Sequence, residues 1–190
     1  MLSALCHDMG KPATAVFNES KGVYQNIGHE EAGVAPAKAF LDRVVNNTAT
    51  RDYVLNMVEM HGKPYTAFAG KARVSRTNYM FDDIKHGEDM IYLTLSDKHN
   101  MPDDKLVAYE AWISDRLHIY EETVSKPQVG GKDLIEMGLK PGKEFSGLIS
   151  EAHKLHLGGQ SKDNVMTTFR HRFGIPDAQE DVTNDEGFNL

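Results

Sequence analysis

Apolar residues recur at intervals of three and four along most of the chain. Residues 29–46 carry Ala32, Val34, Ala35, Ala39, Phe40, Leu41, Val44 and Val45, the stripe of an amphipathic helix. Pro36 is expected near the start of that helix, where a missing N–H is tolerated. Thr48 or Thr50 is placed to cap the next helix, whose Val54, Leu55, Met57 and Val58 point inward. Gly62 and Pro64 read as its stop. Residues 88–98 predict a helix through Ile91, Leu93 and Leu95. Residues 102–122 predict another through Leu106, Ala108, Trp112, Ile113, Leu117 and Ile119. No Asn-Gly or Asp-Gly turn joins alternating segments, so strand signals are poor. The expected class is all-α.

The pattern breaks at Val124–Gly131, where Pro127, Gly130 and Gly131 predict a loop. Three short helices are expected beyond it, over 132–138, 142–157 and 161–173. Pro176 to Leu190 is polar and acidic, a loose tail. The expected organisation is a helical domain over 1–125, a small helical segment over 126–175 and the tail over 176–190.

Composition narrows the function classes. With 190 residues, 40% of them apolar, the chain suits one domain or one and a half small ones. A net charge of −7 excludes a non-specific nucleic-acid coat. Any nucleic-acid contact needs a local basic patch, and Lys63, Lys71, Arg73 and Arg76 are the one concentration. They follow His61 and could draw a phosphate or RNA towards it, with Lys63, Arg73 and Arg76 as substrate-binding candidates. A solvated loop is the plainer reading of the same residues. The single cysteine, Cys6, allows no internal disulfide and fits a reducing, cytoplasmic setting. No run approaches the roughly 20 apolar residues of a membrane helix, and no membrane partner is expected.

Nine histidines direct the search for chemistry. The strongest feature is His7-Asp8, followed by Met9-Gly10-Lys11. His29 opens a predicted helix in Gly28-His29-Glu30-Glu31, His61 closes one in Glu59-Met60-His61-Gly62, and Asp97 closes another. Ligands at helix ends, brought together by packing, are how bundles build interior metal sites. Mixed His and carboxylate donors suit Fe, Mn, Ni, Co or Zn, with Mg kept open. Two such ions can activate water and clamp both oxygens of an in-line phosphoryl displacement. Lys11, at i+4 from His7, would face the same side and either neutralise a phosphate oxygen or pair with Asp8. Glu30 would orient His29 or act on water, or simply favour the helix N-terminus. Asp97 could instead pair with Lys98 or His99 on the surface. His86, His118, His153, His156 and His171 are read as surface or packing residues, and Trp112 as core.

Leu5-Cys6-His7-Asp8-Met9-Gly10-Lys11-Pro12, then Gly28-His29-Glu30-Glu31-Ala32-Gly33, His61 and Asp97, resembles the HD-domain metal-dependent phosphohydrolases. More narrowly, it is similar to the HD domain of bacterial tRNA nucleotidyltransferases, the CCA-adding enzymes. The string Gly131-Lys132-Asp133-Leu134-Ile135-Glu136-Met137-Gly138-Leu139-Lys140-Pro141-Gly142-Lys143-Glu144-Phe145 is similar to the segment after that domain, in the helical RNA-binding part. The resemblance implies an HD-type helical bundle with a small C-terminal helical appendage, binding one or two divalent metals. It implies phosphatase, 2′-nucleotidase and 2′,3′-cyclic phosphodiesterase activity on a nucleotide or RNA 3′ end, tRNA included. His7, Asp8 and Asp97 would hold the first metal, and His29 and His61 a second metal or the phosphate. Lys11 and Glu30 would assist catalysis.

Two departures from the family pattern matter. The family's first metal histidine precedes the His-Asp pair, and none of the six residues before His7 is histidine. Leu2–Cys6 reads as the middle of a helix, so a longer natural chain is expected. No Gly-Ser pair followed by an Asp-x-Asp strand is present, so these residues alone are not expected to polymerise nucleotides. Two alternatives stay open: a non-catalytic RNA-binding module with a degenerate site, and a fragment of a CCA-adding enzyme without its polymerising head. The apolar helices could also close a homodimer.

Overall fold

A computed structural model describes residues 1–176. It is all-α apart from one hairpin, and its described residues form two compact units that divide between Ser125 and Lys126. The tail expected over 176–190 lies, from residue 177 on, outside the described residues. Among the described residues no helix is long and apolar enough to cross a membrane.

The first unit opens with α1 (Leu2–Cys6) and α2 (Lys11–Thr14), then β1 (Val16–Asn18) and β2 (Val23–Gln25). The strands pair antiparallel with Phe17 opposite Tyr24. This hairpin departs from the strand-free expectation. Its connection is a four-residue loop that the Asn18 side chain opens by accepting from the Lys21 N–H at 3.1 Å. Gly22 closes it at φ 65°, a left-handed conformation suited to glycine.

Next come α3 (His29–Val44), α4 (Thr48–Met60), α5 (Lys63–Ala69), α6 (Val74–Asp83), α7 (Gly87–Asp97) and α8 (Asp103–Ser125). The buried line of α3 is Gly33, Ala37 and Leu41, while Ala35, Ala39 and Val44 face out. Pro36 lies inside α3, not near its start. It sits on the exposed face, where only the Ala32 carbonyl loses its helical partner. Asn47, not a threonine, caps α4, accepting from the Thr50 N–H at 2.9 Å. The stop read at Gly62 and Pro64 holds, since α4 ends at Met60, and Pro64 also lies in the first turn of α5, which its fixed φ suits.

Helix α4 joins two apolar clusters. Val54 and Val58 pack with Cys6, Ala37 and Leu41. Met57 and Met60 pack with Phe81, Met90, Tyr109 and Ile113. In α8 the buried spine is Tyr109, Ile113 and Leu117, and Ala108 is exposed. The Tyr109 hydroxyl is satisfied by Thr94 at 2.8 Å. Burial of these side chains, about 1.5–3 kcal/mol each, holds the ends of α1, α3, α4 and α7 in place.

The second unit contains α9 (Gly131–Glu136), α10 (Phe145–Leu157) and α11 (Lys162–Phe173). Its core is Val129, Leu134, Met137, Ala152, Val165 and Phe169. α10 starts later than expected, after Pro141 and Gly142.

Candidate metal centre

Four helix ends meet at one point. His7 is the residue that terminates α1, His29 the first residue of α3, His61 the residue that terminates α4, and Asp97 the last of α7. Close backbone approach makes this meeting possible. A Cβ on Gly10 would stand 2.0 Å from the His29 carbonyl oxygen and 2.6 Å from the Gly33 nitrogen. The turn carrying His7-Asp8 can therefore lie on the start of α3 only with glycine at position 10.

Each histidine is oriented by a carbonyl three residues before it. Nδ1 of His7 donates to Ala4 at 2.8 Å, that of His29 to Asn26 at 2.8 Å, and that of His61 to Val58 at 2.7 Å. A carbonyl can only accept, so the proton of each neutral ring is on Nδ1 and Nε2 presents a lone pair. These Nε2 atoms converge. His29 and His61 face each other Nε2 to Nε2 at 3.2 Å. Two lone pairs at that distance repel unless a cation or proton lies between them.

Asp8 joins the two halves of the cluster. Its Oδ1 is 3.5 Å from His29 Nε2 and its Oδ2 is 3.2 Å from His7 Nε2. Asp97 Oδ1 is 3.6 Å from His7 Nε2. Two donors about 2.1 Å from one tetrahedral ion lie about 3.4 Å apart. The four separations, 3.2, 3.2, 3.5 and 3.6 Å, straddle that value. Two groups of donors result, Asp8-His29-His61 and His7-Asp8-Asp97, with Asp8 in both. Asp8 Oδ1 is also buried without a hydrogen-bond partner. A buried carboxylate oxygen left unsatisfied is costly, and a cation answers it. The residues present fit one or two divalent ions that accept imidazole.

The electrostatics divide the histidines. Asp97 favours the protonated His7 ring, whose Nε2 proton then faces its carboxylate, and so raises the His7 pKa against the lowering effect of burial. Burial lowers that of His61, which is 1% exposed, and the His7 and His29 rings add to the shift. The contact with His7, then the ammonium of Lys98, holds the Asp97 carboxyl far below the usual carboxylate range. The surface pairing considered for Asp97 is thus present with Lys98, yet Asp97 also faces His7.

Lys11 reaches the cluster differently from the expected i, i+4 relation. α1 ends at Cys6 and Lys11 begins α2, and its ammonium meets Asp8 Oδ2 at 2.5 Å. Glu30 Oε2 lies 3.3 Å from His29 Nδ1. Glu30 belongs to neither converging group. A cavity of about 570 Å³ lies behind it, lined by Gly28, Glu30, Gly62, Lys63 and Arg76 among others and by none of the five converging ligands. Arg73 is the exposed residue before α6 and does not line the cavity. Of the basic stretch, Lys63 lies in α5 and Arg76 in α6, while Lys71 and Arg73 lie in the connection between these helices, the part that the loop reading fits.

Lys98 was readable only as a surface partner of Asp97, and its place beside the cluster comes from the packing of α7. The roles of Gly10 and Gly62 were also hidden. A Cβ on Gly62 would stand 2.0 Å from Glu30 Oε1, so glycine there admits the carboxylate. The His-Asp-x-Gly spacing was the one signal that could have pointed to Gly10. His99, though its Nδ1 lies 3.0 Å from the Ser96 carbonyl, is exposed and outside both groups. No family model, curated protein or solved structure matches the chain.

Proposed function

We propose that this chain is a metal-dependent phosphohydrolase of the HD type. Its substrates would be nucleotide or RNA-end phosphoesters, with phosphatase, 2′-nucleotidase or 2′,3′-cyclic phosphodiesterase action. We place it as part of a tRNA nucleotidyltransferase-like protein. The observation that carries the reading is the convergence of three Nε2 lone pairs and two aspartates from separate helix ends, with Asp8 common to both halves.

His7, Asp8 and Asp97 would hold one divalent ion, and Asp8, His29 and His61 a second. Such ions, when bound, acidify water and neutralise phosphoryl oxygens. The protein's own residues do the rest. Asp8 is one-third exposed and Lys11 two-fifths, so substrate approaches from their side. Lys11 supplies positive charge at that edge for a non-bridging phosphate oxygen. Glu30, beside His29, keeps that ring oriented. The carbonyls of Ala4, Asn26 and Val58 hold each Nδ1 proton, leaving the three Nε2 atoms as acceptors.

The test is elemental analysis of the chain purified without chelator, beside a His7→Ala, Asp8→Ala variant. The expected result is one or two equivalents of a transition metal, lost in the variant, with metal-dependent cleavage of bis(p-nitrophenyl) phosphate and of 2′,3′-cyclic nucleotides. A metal-free protein without such cleavage overturns the reading and leaves a non-catalytic module.

A further inference from the structure

The cavity behind Glu30 has no role in holding the metal. At about 570 Å³ it falls within the size range of small-ligand pockets. Its wall is charged in both senses. Glu30, Glu31, Glu59 and Asp83 supply four carboxylates against the two cations of Lys63 and Arg76. Among the described residues, neither cation pairs with any of these carboxylates. The carboxylates are not a cation site either. The only converging donor groups among the described residues exclude Glu30, Glu31, Glu59 and Asp83. They are spread over a surface instead. Arg76 and Asp83 lie on one face of α6 at i and i+7, about 10 Å apart along its axis.

A net negative wall repels phosphate, so the expectation that Lys63 and Arg76 attract a phosphate does not suit this cavity. It suits an uncharged group that presents hydrogen-bond donors to the carboxylates and acceptors to Lys63 and Arg76. Position adds to this. Gly28 and Gly62, the neighbours of His29 and His61 in the chain, line it, and Glu30 lies in its wall with one oxygen 3.3 Å from His29. The cavity therefore adjoins the His29–His61 half of the metal cluster.

We propose that this cavity binds the nucleoside portion of the substrate and selects bases that carry an exocyclic amino group. This rests on the phosphohydrolase reading for the position of the phosphate, at Asp8 and Lys11. An amino group donates twice and a carboxylate accepts, the pairing by which Glu and Asp read cytosine N4. The cytosine O2 and N3 acceptors would face the cations. Uracil replaces the amino donor with a carbonyl, which the carboxylates repel.

The experiment is isothermal titration of the metal-free full chain with cytidine against uridine and adenosine against inosine. Each pair differs in its amino or carbonyl group. Cytidine and adenosine are expected to bind about tenfold more tightly than their partners. That ratio is expected to fall towards one in Glu31→Gln, Glu59→Gln or Asp83→Asn, all at exposed positions where the fold is retained. Absence of nucleoside binding, equal binding within each pair, or a ratio unmoved in all three variants overturns the proposal. Failure of the hydrolase reading shows separately, as no metal-dependent cleavage of bis(p-nitrophenyl) phosphate, which carries no base.

Discussion

In the first unit, His7, His29 and His61 each bind a carbonyl through Nδ1; the Nε2 atoms of His29 and His61 face each other, and that of His7 faces Asp8 and Asp97. In the second, His153 and His156 sit one turn apart on α10. Nδ1 of His153 is 2.8 Å from Gln128 Oε1 and that of His156 is 3.1 Å from the Gln160 carbonyl. Neither joins a converging donor group. The two regions use the same residue type and similar Nδ1 bonds. Only the first gathers its rings from separate helix ends, where donors approach one point without sharing a helix face. His99 makes the same point inside the first unit: a carbonyl three residues back orients the ring, and convergence is what makes a ligand. The charges of the second unit are paired on its surface, as Arg172 with Glu151 and Lys162 with Asp133.

The sharpest way to break this comparison is at Asp8, the residue common to both donor groups. Asp8→Ala is expected to abolish uptake of both ions and with it all metal-dependent cleavage. The metal-free variant should unfold within about 1 kcal/mol of the parent, because Asp8 is partly exposed and its Oδ1 has no hydrogen-bond partner. Elemental analysis and thermal unfolding with chelator separate the two effects. A variant that keeps its metal would show that the convergence is incidental. His153→Ala and His156→Ala should leave the metal content unchanged.

A second variant tests the scaffold that brings the helix ends together. Gly10→Ala places a Cβ against the His29 carbonyl and the Gly33 nitrogen, both backbone atoms that cannot rotate away. The expected cost is about 3 kcal/mol, read as a lower unfolding temperature, together with weaker metal binding as His29 is pushed from His7 and Asp8. An unchanged unfolding temperature would mean that the turn at Gly10 does not lie on the start of α3 as described.

How much of this was legible follows from how local each signal is. The helix ends at His29, His61 and Asp97 were readable because their punctuation lies beside them, in Gly28 and Gly62 and in the end of an apolar stripe. The cluster was readable as a set of residue types at helix ends, while the lone-pair geometry was not, because it depends on carbonyls whose positions exist only in the fold. Helix α6 was missed because Thr77 and Asn78 share its buried face with Met80 and Phe81, which interrupts the apolar stripe. The hairpin was missed because its turn is longer than the two-residue loops with strong signatures. The cavity was invisible, since its wall is drawn from α3, α4, α5 and α6 together.

The smallest expected effect lies in the second unit and asks whether its polar groups are only structural. Asp133, in the first turn of α9, accepts from the Gly130 N–H at 2.8 Å and meets Lys162 Nζ at 2.6 Å. This is half of a reciprocal cap, since Gly130 has no side chain to complete it. The Gly130 N–H, then Lys162, lowers the Asp133 pKa. A carboxylate with a depressed folded-state pKa contributes its stability above the unfolded value, about 4, and loses it as pH falls through the lower folded value. Asp133→Ala should therefore destabilise the second unit by about 1 kcal/mol at neutral pH. The difference from the parent should shrink only below about pH 4. Metal content and cleavage of bis(p-nitrophenyl) phosphate should not change. A loss of metal in this variant would mean that the second unit supports the cluster, and the contrast between the two regions would then fail.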